Sequence, residues 1–340
     1  MAAVYFDNNA TTHLDPRVLE AMQPYLEGPF ANPSSLHRFG RAARDGVEAA
    51  RAEVAALVGA QPEQVLFTSG GTEADNLALH GVAALAPAGA RVLYGATEHA
   101  AVLEYCEALD AAGRPAEPIA VDAQGRVDWP AFERQLAAGP VALVALMRAN
   151  NETGVIQDIP RAAQLAHAVD ARLLVDAVQA AGKMALDFGA LGADLLVVSA
   201  HKIHGLAGVG ALVRDPALAL APLHHGGSQE RGVRGGTENT IGIVGFGEAA
   251  RLAREELGER RATMSALRQR LEASLAGRDG ITVFGSNAER IPNTVQFAVA
   301  GWQGEALLMA LDRQGFALSS GSACHAGSGE PSHLLLAMGV

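Results

Sequence analysis

The stretch DLLVVSAHKIHG, Asp194–Gly205, decides the fold. Leu195–Val198 is apolar without alternation, the mark of a strand covered on both faces, as in parallel sheets clothed by helices on either side. The run stops abruptly in Ser199, His201 and Lys202, where open α/β sheets collect their ligands. The same design repeats outward, with strands expected near Val65–Thr68, Arg91–Tyr94, Val141–Met147, Leu173–Asp176 and Gly210–Val213. Between them, helical periodicity covers Gly40–Val58, Glu73–Leu85, Ala100–Ala112, Ala131–Ala137 and Ile159–Ala168. Alternation of this kind implies crossover units: an α/β fold with a mostly parallel sheet sandwiched by helices.

The pattern changes after Gly247. Glu248–Ala276 reads as one long amphipathic stretch, with Arg and Glu on its polar face, that bridges two domains. Beyond it TVFG, NTVQFAVAG and FALSSG are strand-like around a single helix, Gly304–Gln314, which describes a smaller α+β domain. The expected division is 15–250 for the large domain, with 1–14 and 251–340 forming the small one. A length of 340 residues suits two domains.

Composition narrows the function. Hydrophobic residues make up 49% and charged residues 19%, which excludes a disordered chain. The formal net charge of −11 opposes nucleic-acid binding, which needs basic clusters. No apolar run reaches the ~18 residues of a membrane span, and MAAVYFDNNATTHLDP lacks the layout of a signal peptide, so a cytoplasmic protein is expected. Cys106 and Cys324 are too few for a disulfide framework. Only Lys183 and Lys202 are lysines among 26 basic residues, so chemistry needing a primary amine has two candidates. Arginine stays protonated and cannot replace them.

Four motifs carry candidate chemistry. In FTSGGTEADNLALHG, Phe67–Gly81, a strand enters a helix through Ser69, Gly70, Gly71 and Thr72, and free amides at such a helix start suit an anion; an ordinary Ser/Gly cap would look the same. In LLVDAVQ, Leu173–Gln179, Asp176 ends an apolar strand and Gln179 follows three residues on. Asp176 is either a helix cap or a carboxylate that meets a cation. Lys202 ends the third motif, where desolvation favours a free amine; His201 and His204 lack companion ligands, so no metal is expected. In LSSGSACHAGSGEPS, Leu318–Ser332, Cys324 lies among small residues, as a thiol able to visit a reaction centre would. Cys106, in EYCEALD, reads as packing. His99, the NNETG segment with Asn151, and the glycine-rich GGSQERGVRGGTENT with Arg231 and Arg234 are weaker features, each also explicable as a cap, a turn or a subunit contact. Three strand ends thus supply a phosphate cradle, a carboxylate and a lysine, the set that pyridoxal 5'-phosphate requires.

The chain resembles the pyridoxal-phosphate cysteine desulfurases of the class V aminotransferase fold, in the branch with a long catalytic-cysteine loop. The match runs in order from YFDNNATT through NPSSLH, FTSGGTEADN, TEH, NNETGVIQ, DAVQ, SAHKIHG, GGSQERGVRGGTEN and SSGSAC to EPSHLLLAMG. It implies a fold-type I enzyme whose large domain binds the cofactor and whose small domain carries the cysteine loop. Lys202 would join the cofactor's aldehyde and move the substrate's Cα proton. Asp176 would face the pyridinium nitrogen and Gln179 the phenolic oxygen, while His99 would stack on the ring and act as acid/base. Gly71, Thr72, Ser199 and His201 would hold the phosphate, with Thr237 reaching it from the other subunit of a homodimer. Asn151 would lie near ring and substrate. Cys324 would take sulfur from L-cysteine as a persulfide, release L-alanine, and pass the sulfur to an Fe–S scaffold or a sulfur-carrier protein for cluster assembly or thiolation.

Two departures accompany the resemblance. Leu336 stands where relatives carry an Arg. The family pattern also continues beyond Val340 with an Arg-x-Ser-like stretch that grips the substrate carboxylate; either the sequence is a shortened form or another Arg takes the task, with Arg231 and Arg234 the candidates. Selenocysteine lyase, an aminotransferase on the same fold, or a cofactor-holding interaction protein without turnover are the alternatives; a transaminase has no need of Cys324, and the interaction protein would hold the chromophore without releasing sulfide.

Overall fold

The apolar runs form the strands of the central sheet, and side-chain alternation divides each between two cores. In Leu195–Ser199, Leu195 and Val197 face one cluster while Leu196 and Val198 face the other; Leu173 and Val175 likewise oppose Leu174. A sheet buried on both sides cannot tolerate polar residues along its strands, so polar chemistry is pushed to the strand ends.

The computed structural model describes residues 3–28, 31–321 and 332–340. Strands β1 to β11 are Val4–Tyr5, Val65–Thr68, Arg91–Gly95, Ala116–Ile119, Val141–Met147, Arg172–Asp176, Leu195–Ser199, Gly210–Arg214, Ile281–Val283, Phe297–Val299 and Phe316–Ala317. Helices α1 to α11 are Pro16–Glu27, Arg38–Leu57, Gly71–Ala83, Ala100–Ala111, Trp129–Ala137, Ile159–His167, Phe188–Leu191, Thr240–Glu255, Leu257–Leu275, Gly304–Arg313 and His333–Ala337. Seven strands make one sheet in the order β2-β8-β7-β6-β5-β3-β4. All pairings are parallel except those of β8, which runs antiparallel to both neighbours. The carboxyl ends of β2, β3, β5, β6 and β7 therefore share one edge, where β8 begins.

The expected strands all form, and the five expected helices form with ends shifted by a few residues. Helices α3 and α4 cover one face with Leu77, Leu79 and Cys106, and α2, α5, α6 and α8 cover the other with Val54, Phe132, Ile159 and Phe246. Small residues bring α2 and α8 close: a Cβ on Gly247 would lie 2.5 Å from Ala50 Cα. The amphipathic stretch expected to be continuous is two helices, because Glu256 (φ −95°, ψ 4°) breaks the run between α8 and α9. Its carboxylate binds Arg260 at 2.6 Å and reaches Arg17 of α1, anchoring the break.

The structure adds elements beyond those expected: the longest is α1, with β1, β4, α7 and α11 short. Asp15 caps α1, accepting from the Arg17 amide at 2.9 Å with Pro16 at the first turn. In the remaining part β9 and β10 pair antiparallel, and β1 pairs parallel with β11, Val4 opposite Phe316. Among the described residues no helix is long and apolar enough to cross a membrane.

Candidate active site

A cavity of about 280 Å³ opens at the shared edge of strand ends. Gly71 and Thr72, His99, Asn151, Asp176, Gln179, Ser199, His201 and Lys202 all line it. Nine residues distant in sequence are thus gathered by one feature of the fold, the common direction of six strands, five of which end at the cavity.

Each arrives for a local reason. Gly71 and Thr72 open α3, pointing its free amides to the cavity. Backbone approach is tight behind them: a Cβ on Gly210, at the start of β8, would lie 2.6 Å from the Gly70 carbonyl carbon. His99 caps α4, its Nδ1 accepting from the Ala101 amide at 3.1 Å, and lines the cavity too, so cap and site residue are the same group. Asn150 makes a turn after β5, its Oδ1 accepting from the amides of Glu152 and Thr153 at 2.9 Å, and thereby presents Asn151. Asp176 ends β6 and accepts from the Val178 amide at 2.8 Å.

The electrostatics follow from burial. Asp176 is pushed up from the ordinary carboxylate range by burial, opposed by the Val178 amide, His99 and Lys202. Asp75 and Glu98, both fully enclosed, are pushed well up, again by burial first and then by Asp176. Burial and the neighbouring Lys202 hold His201 down at about 4, so its ring is neutral at pH 7. Lys202 Nζ donates to the Ala10 carbonyl at 2.8 Å and to that of Asn9.

These residues fit pyridoxal phosphate. Among the described residues Ser199 Oγ is buried with no protein hydrogen bond, and so is Asp75 Oδ1; a phosphate at the start of α3 would give Ser199 a partner. A cationic ring nitrogen beside Asp176 would supply the charge that its burial lacks.

Asn9, Ala10, Asp75, Val178, Ser319 and Gly321 also line the cavity and were not singled out. Asn9 is tied in by its side chain, which donates to Asn151 O at 2.9 Å and Thr294 Oγ1 at 2.8 Å. The polar run Asp7–Asn8–Asn9, with neither helical nor strand period, was the available signal. Thr237 does not line this chain's cavity but is exposed in the loop before α8. Arg231 and Arg234 do not line this chain's cavity. Arg234 pairs with Glu73 at 2.7 Å and Arg231 donates to the Val65 carbonyl at 3.0 Å, so both are engaged away from the cavity in this chain. Cys324 lies outside the described residues.

A buried sheet with a lysine, a carboxylate and an anion cradle at its carboxyl edge defines a class of cofactor-dependent α/β enzymes. The chain belongs to the class V aminotransferase family, whose pattern matches residues 4–339. It is 46% identical over 343 residues to a cysteine desulfurase of Cereibacter sphaeroides, covering 100% of this chain and 88% of that one. A NifS-like protein from Rickettsia africae superposes with a TM-score of 0.90 at 32% identity, covering 99% and 90% of the two chains. SspA, solved in complex with cysteine, superposes with a TM-score of 0.84 at 29% identity, covering 99% and 94%.

Proposed function

We infer that the chain is a cysteine desulfurase that binds pyridoxal phosphate in the cavity and moves the sulfur of L-cysteine onto Cys324. The observation that carries the reading is the convergence of Lys202, Asp176 and the Gly71–Thr72 helix start on one cavity, in a chain whose relatives are cysteine desulfurases.

Gly71, Thr72, Ser199 and His201 hold the phosphate, with Thr237 of a second subunit completing the grip in a homodimer. Asp176 would hold the ring nitrogen, Gln179 the phenolic oxygen and His99 the ring, with Asn151 near the substrate; all four line the cavity. When bound, pyridoxal phosphate withdraws the electrons left at the substrate's Cα. Lys202 removes and returns the proton at Cα. The Cys324 thiolate attacks the substrate's Sγ; the new S–S bond forms as Cβ–Sγ breaks, the electron pair stays on the substrate carbon, and a proton supplied there by His99 or Lys202 completes L-alanine. The net change is cysteine plus a thiol giving alanine plus a persulfide. An Fe–S scaffold or sulfur-carrier protein accepts the sulfur in turn. We further propose the division 15–250 against 1–14 with 251–340, which the pairing of β1 with β11 supports.

The test is a mass spectrum of the cofactor-loaded protein after L-cysteine without reductant. One added sulfur on Cys324, with one alanine released, supports the reading; alanine without added sulfur contradicts it.

A further inference from the structure

Of the two lysines, Lys202 has its task and Lys183 has none. Lys183 is 6% exposed, and its Nζ donates to Gln179 Oε1 at 2.7 Å. At the other end of the same amide, Gln179 Nε2 donates to the Asn9 carbonyl at 2.9 Å. That carbonyl also accepts from Lys202 Nζ. An ammonium has hydrogens and no lone pair, and a carbonyl has lone pairs and no hydrogen. The two neighbours therefore dictate one orientation of the Gln179 amide, with oxygen toward Lys183 and the NH2 group toward the cavity side, where one hydrogen goes to Asn9 and one remains. Asn9 holds the N–H end of the amide and Lys183 its oxygen end.

We propose that Lys183 is a positioning residue that locks the Gln179 amide with its N–H bonds toward the cofactor's phenolic oxygen, so that Gln179 acts there only as a donor. The inference rests on the pyridoxal-phosphate reading. Burial, and then the charge of Lys202, draw Lys183 down to about 7; the protonated lysine can only donate to Oε1, and as pH rises past that value the neutral amine still donates but no longer excludes the flipped amide. The consequence concerns the nitrogen that joins Lys202 to the bound ring. That nitrogen keeps its proton by virtue of the negative phenolic oxygen beside it; a donor on the oxygen drains that charge and lowers the pH at which the visible band titrates. Removing the lock raises it. Asp75, His99, Asp176, His201 and Lys202 face the same cavity and are common to every variant compared.

The experiment is a spectrophotometric pH titration of the cofactor-loaded protein, wild type against Lys183→Met, Gln179→Leu and the double variant. The expected result is a visible band whose titration moves up by about one pH unit in Lys183→Met. The double variant should move no further than Gln179→Leu alone, because the lysine acts through the amide. Lys183→Gln, which keeps a neutral donor for Oε1 without dictating the flip, should move in the same direction and replaces Lys183→Met should that variant not fold. An unchanged titration in a variant that still shows the band overturns the proposal and leaves the cofactor reading standing. Additive shifts in the double variant also overturn it, since the lysine's charge would then act directly. A wild type without the band overturns both.

Discussion

Asp75 illustrates how burial at single residues is tied to the site. Its carboxyl sits at the cavity with Oδ1 unpartnered among the described residues, pushed up by burial and then by Asp176 and Glu98. A folded pKa above the unfolded ~3.9 means that the native state binds the extra proton, so its contribution to stability is full below about pH 4 and is lost as pH rises through the folded value. Asp75→Asn removes that loss. The variant should gain stability over wild type by on the order of 1 kcal/mol at pH 8, and the gap should close toward pH 4; chemical denaturation at the two pH values checks it. A gap that widens as pH falls would place the charge of Asp75 among stabilising groups instead. His201, held near 4, should show no ring titration between pH 8 and 5.5 by NMR in the cofactor-free protein. At this scale much of the site was legible: Lys202 and Asp176 stand out because polar groups interrupt apolar runs. Asp75 was hidden because one acid in a polar-apolar helix looks like any other, and Asn9 because its role depends on contacts 142 and 285 residues away.

At the scale of elements, the cavity is shaped by how tightly loops sit on strands. Gly210 admits the Ser69–Gly71 turn only because it lacks a Cβ. Gly210→Ala should shift that turn and weaken cofactor binding about tenfold, by ~1–2 kcal/mol, while circular dichroism stays native; unaltered affinity would show that the turn is free to yield. The loop before α8 is fixed by a buried pair: Glu230 takes Arg51 at 2.8 and 3.0 Å and also accepts the Phe67 amide at 2.9 Å. Both Glu230 and Arg231 carry positive φ, 42° and 57°. Glu230→Ala strands a buried guanidinium and should cost ~3 kcal/mol or more, measured by urea denaturation. The buried strands were readable from composition because burial on both faces leaves no other residues possible. α1 was not, since Pro16 and Pro24 argue against a helix until Asp15 is seen to cap it. The α8–α9 break was also invisible, because Glu256 fits a continuing polar face and only its partner Arg17, 239 residues away, gives it another duty.

For the whole molecule, the ends of five of the six strands that run one way convert separate motifs into one site, and that is why order along the chain sufficed to anticipate which residues meet. What the strand pattern does not dictate is the carboxylate grip: Arg231 and Arg234 are drawn off by Val65 and Glu73. Conversion of L-cysteine into a sulfur donor through Lys202 and Cys324 is read out by sulfide release from L-cysteine and a thiol reductant. The 340-residue chain loaded with pyridoxal phosphate should release sulfide and alanine in equal amounts, and Lys202→Ala and Cys324→Ser should each abolish the sulfide. Sulfide that persists in either variant, or a loaded protein that releases none, would contradict the account.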